Sequence, residues 1–553
     1  MTTLTSPTMP NATVAGTATR SAVLDDMHLG DIKGALGTIR LDDTESRKGL
    51  NRKIKTLLAI IGPGLIVMVG DNDAGAFATY GQAGQDYGTK LLWTLALLIP
   101  VLYVNQEMVL RLGAVTGVGH ARLILERFGK FWGAFSVIDL FILNALTIVT
   151  EFIGITLAAG YLGLPKVLSV ILAAMIIMSA AFTGSFRRFE RVAVTFCLGS
   201  LLLIPIYFLS HPAGSQMAHD FVVPQMPAGP GANGMATLML LIIGIVGTTV
   251  APWQLFFQQS YVIDKRITPR FMKYEKADLW IGIVIVVLGA SAVMGASATA
   301  FGHDLGGFVD ASDVAKGLAA HAGKVAGVLF AIALLDASII GAFAVSLSTA
   351  YAIGDVLGMK HSLHRGVKQA KGFYAIYAFV IGLAATIVLI PGSPLGLLTE
   401  GVQVLAGVLL PSASVFLLLL CNDKDVLGPW VNGRKLNAFT SLVVSVLVTL
   451  SIVLIASVLF PTITAKAILD IMAACGLIAL CVVVAFGLTA RRGGLAESVD
   501  RADRDDWRMP PLAEIGRATM STGRKVGMGA LRAYLAVAMV MVVIRIVQSA
   551  LGH

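Results

Sequence analysis

The 553-residue chain is 56% hydrophobic and only 14% charged, with a mean hydropathy of +0.80. A soluble domain carries about 25% charged residues, so this composition excludes a soluble enzyme and makes the lipid bilayer the chain's main partner. The net charge of +9 lies in short loops between apolar runs, which marks membrane topology rather than a nucleic-acid surface.

In chain order, residues 1–53 are rich in Thr, Ser, Ala and Gly, without the apolar core of a signal peptide. They read as a disordered cytoplasmic tail ending in the basic stretch RKGLNRKIK. A membrane domain follows over 54–490, with about 12 apolar runs of spanning length. These fall near 54–84, 88–112, 132–161, 165–184, 188–210, 235–262, 279–301, 322–354, 373–391, 396–420, 437–460 and 463–489. A polar cytoplasmic linker (491–526) leads to 527–553, whose apolar run 527–550 contains Arg532 and Arg545 and reads as a further span or an interfacial helix. The cysteines Cys197, Cys421, Cys475 and Cys481 sit in or at the ends of apolar segments without a CxxC pair, so packing is their expected role. Basic residues follow every even-numbered span, among them Arg111, Arg187, Lys265, Arg266, Arg365 and Arg434. The N-terminus is therefore expected on the cytoplasmic side of the cell (inner) membrane.

The first span contains VMVGDNDAGAFATYG, residues 67–81. An aspartate at a helix centre costs about 2.5–3.5 kcal/mol on insertion scales, so Asp71 and Asp73 must face something other than lipid. The sixth span is interrupted in the same way, at GTTVAP, where Pro252 removes a helical donor. Paired interruptions in two halves of a membrane domain point to a transporter site near the midplane. The odd number of spans in each half makes the repeat inverted, a 5+5 architecture with extra C-terminal helices. In an unwound stretch Asp71 and Asp73 would lie on one side. With freed carbonyls from Gly70 or Ala251 they would suit a hard cation. The plainer role for either aspartate is to cap the second half-helix.

The run GPGLIVMVGDNDAGAFATYGQAGQDYGTKLLW, followed by RLGAVTG and later by QVLAGVLLP, resembles NRAMP-type divalent metal transporters over roughly residues 55–460. The resemblance implies an all-α, LeuT-like fold with broken helices 1 and 6. It places the family aspartate on Asp73, its proline on Ala74, its glycine on Gly75 and its asparagine on Ala76. The metal-binding methionine falls on Ala251, the proline on Pro252, the histidine on Trp253, and a glutamine near the metal on Gln403. Loss of the methionine and gain of Asp71 look like the NRAMP-related magnesium transporter branch. Carboxylate, carbonyl and water ligands suit Mg²⁺ and Mn²⁺, whereas a thioether favours softer ions. The expected metal set is thus Asp71, Asp73, Gly70, Ala251 and Gln403, with Asn72, Ala76, Trp253, Gln254 and Glu151 along the substrate path.

Glu151 in TIVTEFIGITLA matches a family glutamate on the proton path, but Ile148 stands at its acidic partner's position and Trp253 at the histidine's. A tryptophan takes up no proton, so transport is expected to run without proton coupling. Asp139 and Asp336 read as structural acids, Glu107 as an i,i+4 partner of Arg111, and His303, Asp304, Asp310 and Asp313 as a solvated outer loop. No phosphate-binding loop appears. The expected function is a divalent cation transporter without a resident cofactor, its ion being the substrate. The alternatives are a proton-coupled Mn/Fe symporter, or an organic-solute transporter whose carboxylate substrate Asp71 and Asp73 would repel.

Overall fold

The computed structural model describes residues 23–540, apart from 44, 46, 228–233, 304–307, 392–394, 461–462, 493–503, 519–522, 524, 532, 535, 538 and 539. The apolar run 527–550 thus extends into 541–553, outside the described residues, as does Asp304.

The described residues open on a 3-10 turn (Asp26–His28), followed by a small antiparallel hairpin, β1 (Ile32–Lys33) and β2 (Thr38–Ile39). Helix α1 (Leu50–Ile60) is amphipathic: Leu50, Ile54 and Leu58 are exposed, whereas Thr56, Ala59 and Ile60 are buried. The first span, expected from 54, therefore begins later. Gly62, at φ +154°, turns the chain, and Pro63 opens the next helix at a position where its missing N–H costs nothing.

The first span consists of α2 (Pro63–Val69) and α3 (Ala74–Tyr87), and the second is α4 (Leu92–Thr116). Short α5 (His120–Phe128) leads to α6 (Lys130–Tyr161), then α7 (Lys166–Phe182), and α8 (Phe186–Cys197) continues through a 3-10 turn into α9 (Leu203–Ser210). After α10 (Gly214–Val222), the sixth span is again split, into α11 (Gly234–Thr249) and α12 (Pro252–Asp264). The seventh and eighth spans are α13 (Met272–Ser297) and α15 (Lys324–Leu357), joined through α14 (Ala311–His321). Next come α16 (Lys371–Val388), α17 (Leu395–Cys421), one-turn α18 (Lys424–Leu427), α19 (Arg434–Leu459) and α20 (Ala465–Arg492). Among the described residues, nine stretches are long and apolar enough to cross a membrane unaided. The architecture is an all-α, LeuT-like 5+5 inverted repeat, with α19 and α20 outside it.

One expectation about the polar ends needs correction. Residues 23–43 of the tail are folded, because their charged and backbone groups find partners in distant loops. Arg266 donates to Met27 O at 2.9 Å, and Arg365 bonds Asp25 at 2.7 Å. Asp25 is partly buried, which opposes its charge, but the hydrogen bonds from Arg365 and the Met27 amide hold its carboxyl well below the usual range. At the other end, residues 504–518 of the polar linker also dock: Met509 N bonds Val115 O at 3.2 Å, and Trp430 bonds Arg504 O at 2.6 Å. Glu107 pairs with Arg111 at 3.2 Å and also with Lys276 at 2.8 Å, tying α4 to α13.

The entrance to α2 is anchored by Asp278 on α13. Its carboxylate accepts from Gly62 N at 3.1 Å, Gly64 N at 2.7 Å and Leu65 N at 3.2 Å. It thereby satisfies orphan donors of a helix N-terminus where no water competes. Asp278→Ala is expected to cost about 2–3 kcal/mol of stability, with Asp278→Asn less affected because it keeps one acceptor. Thermal unfolding in detergent checks this; equal midpoints for wild type and Asp278→Ala would refute the anchoring role.

Candidate functional site

The first break is tighter than an unwound strand. Gly70 N bonds Ile66 O at 2.9 Å, Asp71 N bonds Met68 O at 3.3 Å and Asn72 N bonds Val69 O at 3.2 Å, so α2 ends in a turn. Asp73 is extended, at φ −81° and ψ −171°, and α3 resumes at Ala74. The unwound stretch expected between Gly70 and Gly75 is thus a turn leading into Asp73. A short turn suffices to end one half-helix, because the Asp73 side chain starts the next: its Oδ1 accepts from Ala76 N at 2.9 Å.

Side chains of the turn diverge to different helices. Asp71, fully buried, accepts from the Gln254 amide of α12, and its other oxygen has no partner among the described residues. Asp73 lies beside Asp71, and with the carboxyl group of Glu151 on α6 it flanks the backbone of Gly341. Glu151 also accepts from Ala74 N at 3.2 Å. The expectation that Glu151 lacks an acidic neighbour is thus corrected. Gly341 on α15 admits the pair: a Cβ there would lie 2.8 Å from Glu151 and 2.9 Å from Asp73. Asn72 points away, donating to Val286 O of α13 at 3.1 Å, and the structure does not bring it to the carboxylates.

The second break comprises Val250 and Ala251, after which Pro252 opens α12. Ala251 O accepts from Gln254 N at 3.2 Å. Gln106 of α4 donates to Gln254 Oε1 at 2.8 Å, which fixes the Gln254 amide with its NH₂ toward Asp71. Tyr80 and Thr249 hydroxyls share a bond of 2.7 Å between the two broken spans. Gln106, Tyr80 and Thr249 escape a sequence reading; a polar group within an apolar run is the only sign each leaves. Trp253 is buried, with its ring edge 3.7 Å from where a Gly70 Cβ would sit. Gln403 of α17 crosses the start of α3, its buried Nε2 without a partner among the described residues, and its amide would lie 1.8 Å from a Cβ at Gly75.

A cavity of about 540 Å³ reaches this region, lined at depth by Ala74, Thr79 and Gln403 and toward its mouth by Val309, Asp310 and Gly396. The cavity is lined by Phe308–Ala311, before α15, whereas the N-terminal segment bonds Arg365, after α15, so the cavity and that segment lie toward opposite ends of this helix. Asp310 and Asp313 at its mouth form a capping box on α14. Asp139 Oδ1 is buried without a partner among the described residues, and Asp336 packs on Gly199 and lines a small pocket with Val69 and Asn72 of the first break. Among the described residues no three His, Cys, Asp or Glu side chains converge as a ready-made metal cage. What converges is two aspartates, amides and carbonyls at facing half-helix ends.

An inverted repeat with two interrupted spans is an architecture of secondary membrane transporters. The chain matches the family model described as natural resistance-associated macrophage protein-like over residues 64–457, and it belongs to that family of membrane transporters, not to any class of enzyme. It is 30% identical over 401 residues to a divalent metal cation transporter MntH of Ralstonia nicotianae, covering 69% of this chain and 87% of that one. It is 27% identical over 430 residues to the MntH of Burkholderia ambifaria, covering 74% and 91%. The crystal structure of a manganese transporter from Eremococcus coleocola shares the fold, with a TM-score of 0.61 at 20% identity over 80% of this chain and 97% of that one.

Gly75→Ala should displace Gln403, so Gly75→Ala and Gln403→Ala should each lower ion uptake by about tenfold and the double variant should lose little more than either alone. Uptake in proteoliposomes by the three variants checks this. Fully additive losses in the double variant would show that the two positions do not act together.

Proposed function

We propose that this chain carries Mg²⁺ or Mn²⁺ across the cell membrane by alternating access, with its N-terminus in the cytoplasm and the cavity facing outward. The observation that carries this reading is the chemistry at the two breaks: two carboxylates and oxygen-bearing amides, with Ala251 where the family pattern has a sulfur. Mg²⁺ keeps several of its waters and binds through one or two carboxylates. The small side chains of Ala76 and Ala251 leave room for such waters. The proposed ligands are Asp71 and Asp73, with the Gly70 and Ala251 carbonyls and Gln403; Gln254 orients Asp71. The relatives named as divalent metal or manganese transporters support the cation class.

Asp73 also caps α3, so replacing it tests two roles at once. Asparagine retains the cap and removes the charge. Asp73→Asn should therefore stay folded and lose saturable Mg²⁺ and Mn²⁺ uptake; near-normal uptake would sink the assignment. Ala251→Met should raise Cd²⁺ affinity and weaken Mg²⁺ binding, because a thioether favours soft ions and displaces water. Isothermal titration with both ions reads this, and a wild type that already prefers Cd²⁺ strongly would place the chain outside the magnesium-like branch.

Transport is driven by the ion's own gradient and the membrane potential, about 4.6 kcal/mol per 100 mV for a divalent ion. Glu151 has Asp73 beside it, but the family histidine position is Trp253. Toward the inner end of α6, Thr150 and Thr147 spend their hydroxyls on backbone carbonyls and Asn144 bonds Thr349. Trp253 takes up no proton, and none of these side chains titrates near neutral pH as a histidine does. Internal pH should stay constant during Mg²⁺ uptake into proteoliposomes; metal-dependent acidification absent from Asp73→Asn would overturn the uncoupled reading.

A further inference from the structure

The folded N-terminal segment crosses the end of the molecule opposite the cavity, and its partners belong to two separate loops and to helix α8. On the loop after α15, Arg365 bonds Asp25 and Asp26, and His361 N donates to Asp25 at 3.1 Å. On the loop after α12, Arg266 holds the carbonyls of Met27 at 2.9 Å and Asp31 at 3.1 Å. At the start of α8, Glu190 accepts from Ala35 N at 2.5 Å, and Arg191 donates to Ala35 O at 3.0 Å. His28 is buried between Asp264 (3.5 Å) and the His361 ring (5.1 Å between centroids).

Beneath the hairpin lies a fully buried ion pair, Lys265–Glu190 at 2.7 Å. Lys265 also donates to Ile60 O at 2.5 Å and Ile61 O at 2.8 Å, at the joint between α1 and α2. A Cβ at Gly34 would lie 2.0 Å from Ala59 O and 3.3 Å from the Lys265 chain, so the hairpin backbone seals this joint directly. Thus one segment fastens the broken helices (through α1, α2 and the α12 loop) to unbroken ones (through α8 and the α15 loop).

We propose that residues 25–39 are an inner latch, which holds the cavity-open state and must detach before an ion can leave at the other end. The proposal rests on the alternating-access reading, in which the broken helices rock against the rest of the bundle. Such rocking separates α2 from α8 and the α12 loop from the α15 loop. The segment bridges both separations, and it cannot stay bonded on both sides of either. Its polar partners lie at loop and helix ends, and its apolar anchorage is confined to the hairpin, where Ile32 and Ile39 are buried beside α1 and outside the spans, so it can leave without unfolding them.

Hydrogen–deuterium exchange on the full chain in nanodiscs, with no metal added, tests the latch independently of what the protein carries. Arg365→Gln and Asp25→Asn should each raise exchange over residues 63–69 by at least about fivefold, leaving α6 unchanged. The charge-exchanged pair Asp25→Arg with Arg365→Asp should return it toward wild type. Unchanged exchange at 63–69 in both single variants would overturn the proposal. So would a parallel rise in α6, which would show that the segment merely supports the whole fold.

Discussion

Two carboxylates at mid-membrane are the constraint on which the remaining structure depends. Asp71 and Asp73 cannot face lipid at the cost of ionised groups in hydrocarbon, and they cannot stay unpaired in a dry core. The chain meets this by breaking two helices opposite each other. The broken ends supply amides, carbonyls and a dipole, and the unbroken α6, α15 and α17 close around them. Small residues make this closure possible: Gly341 lets α15 touch Asp73 and Glu151, and Gly247 lets α11 approach the Gln403 backbone, where a Cβ would lie 2.3 Å from its carbonyl oxygen.

The same constraint divides the polar side chains of the turn. Asp71 and Asp73 remain beside each other, whereas Asn72 is spent on Val286 O. Each carboxylate has its own support. Asp71 has the amide of Gln254, itself held by Gln106, and Asp73 has the Ala76 N–H, with the Glu151 carboxyl across Gly341. The oxygen of Asp71 and the amide of Gln403 that lack partners among the described residues are the groups that an incoming hydrated ion would satisfy.

Much of this is legible in the residues because the interruptions are written locally. Gly and Pro at 70, 75, 247 and 252, with acids in an apolar run, disclose the broken spans without any tertiary information. The boundary at 54 misleads because the apolar face of α1 runs into the next apolar stretch; the Gly62-Pro63 pair is the local sign of the joint. The folded N-terminal segment and the Asp73–Glu151 pair are of another kind. Asp25 finds its partner Arg365 340 positions away, and Glu151 meets Asp73 only because Gly341 of a third helix leaves space. No periodicity or composition encodes such encounters.

The capping bond of Asp73 has a thermodynamic consequence. The carboxylate that would hold the ion also terminates α3 through Ala76 N–H, so ion occupancy and helix order draw on one oxygen. Linkage makes the relation reciprocal: if a bound ion weakens the cap, then whatever strengthens the cap weakens the ion's hold by the same free energy. Fraying and re-forming the first turn of α3 would then act as a rheostat on affinity, graded rather than all-or-none, and set by a helix end that need never touch the ion itself.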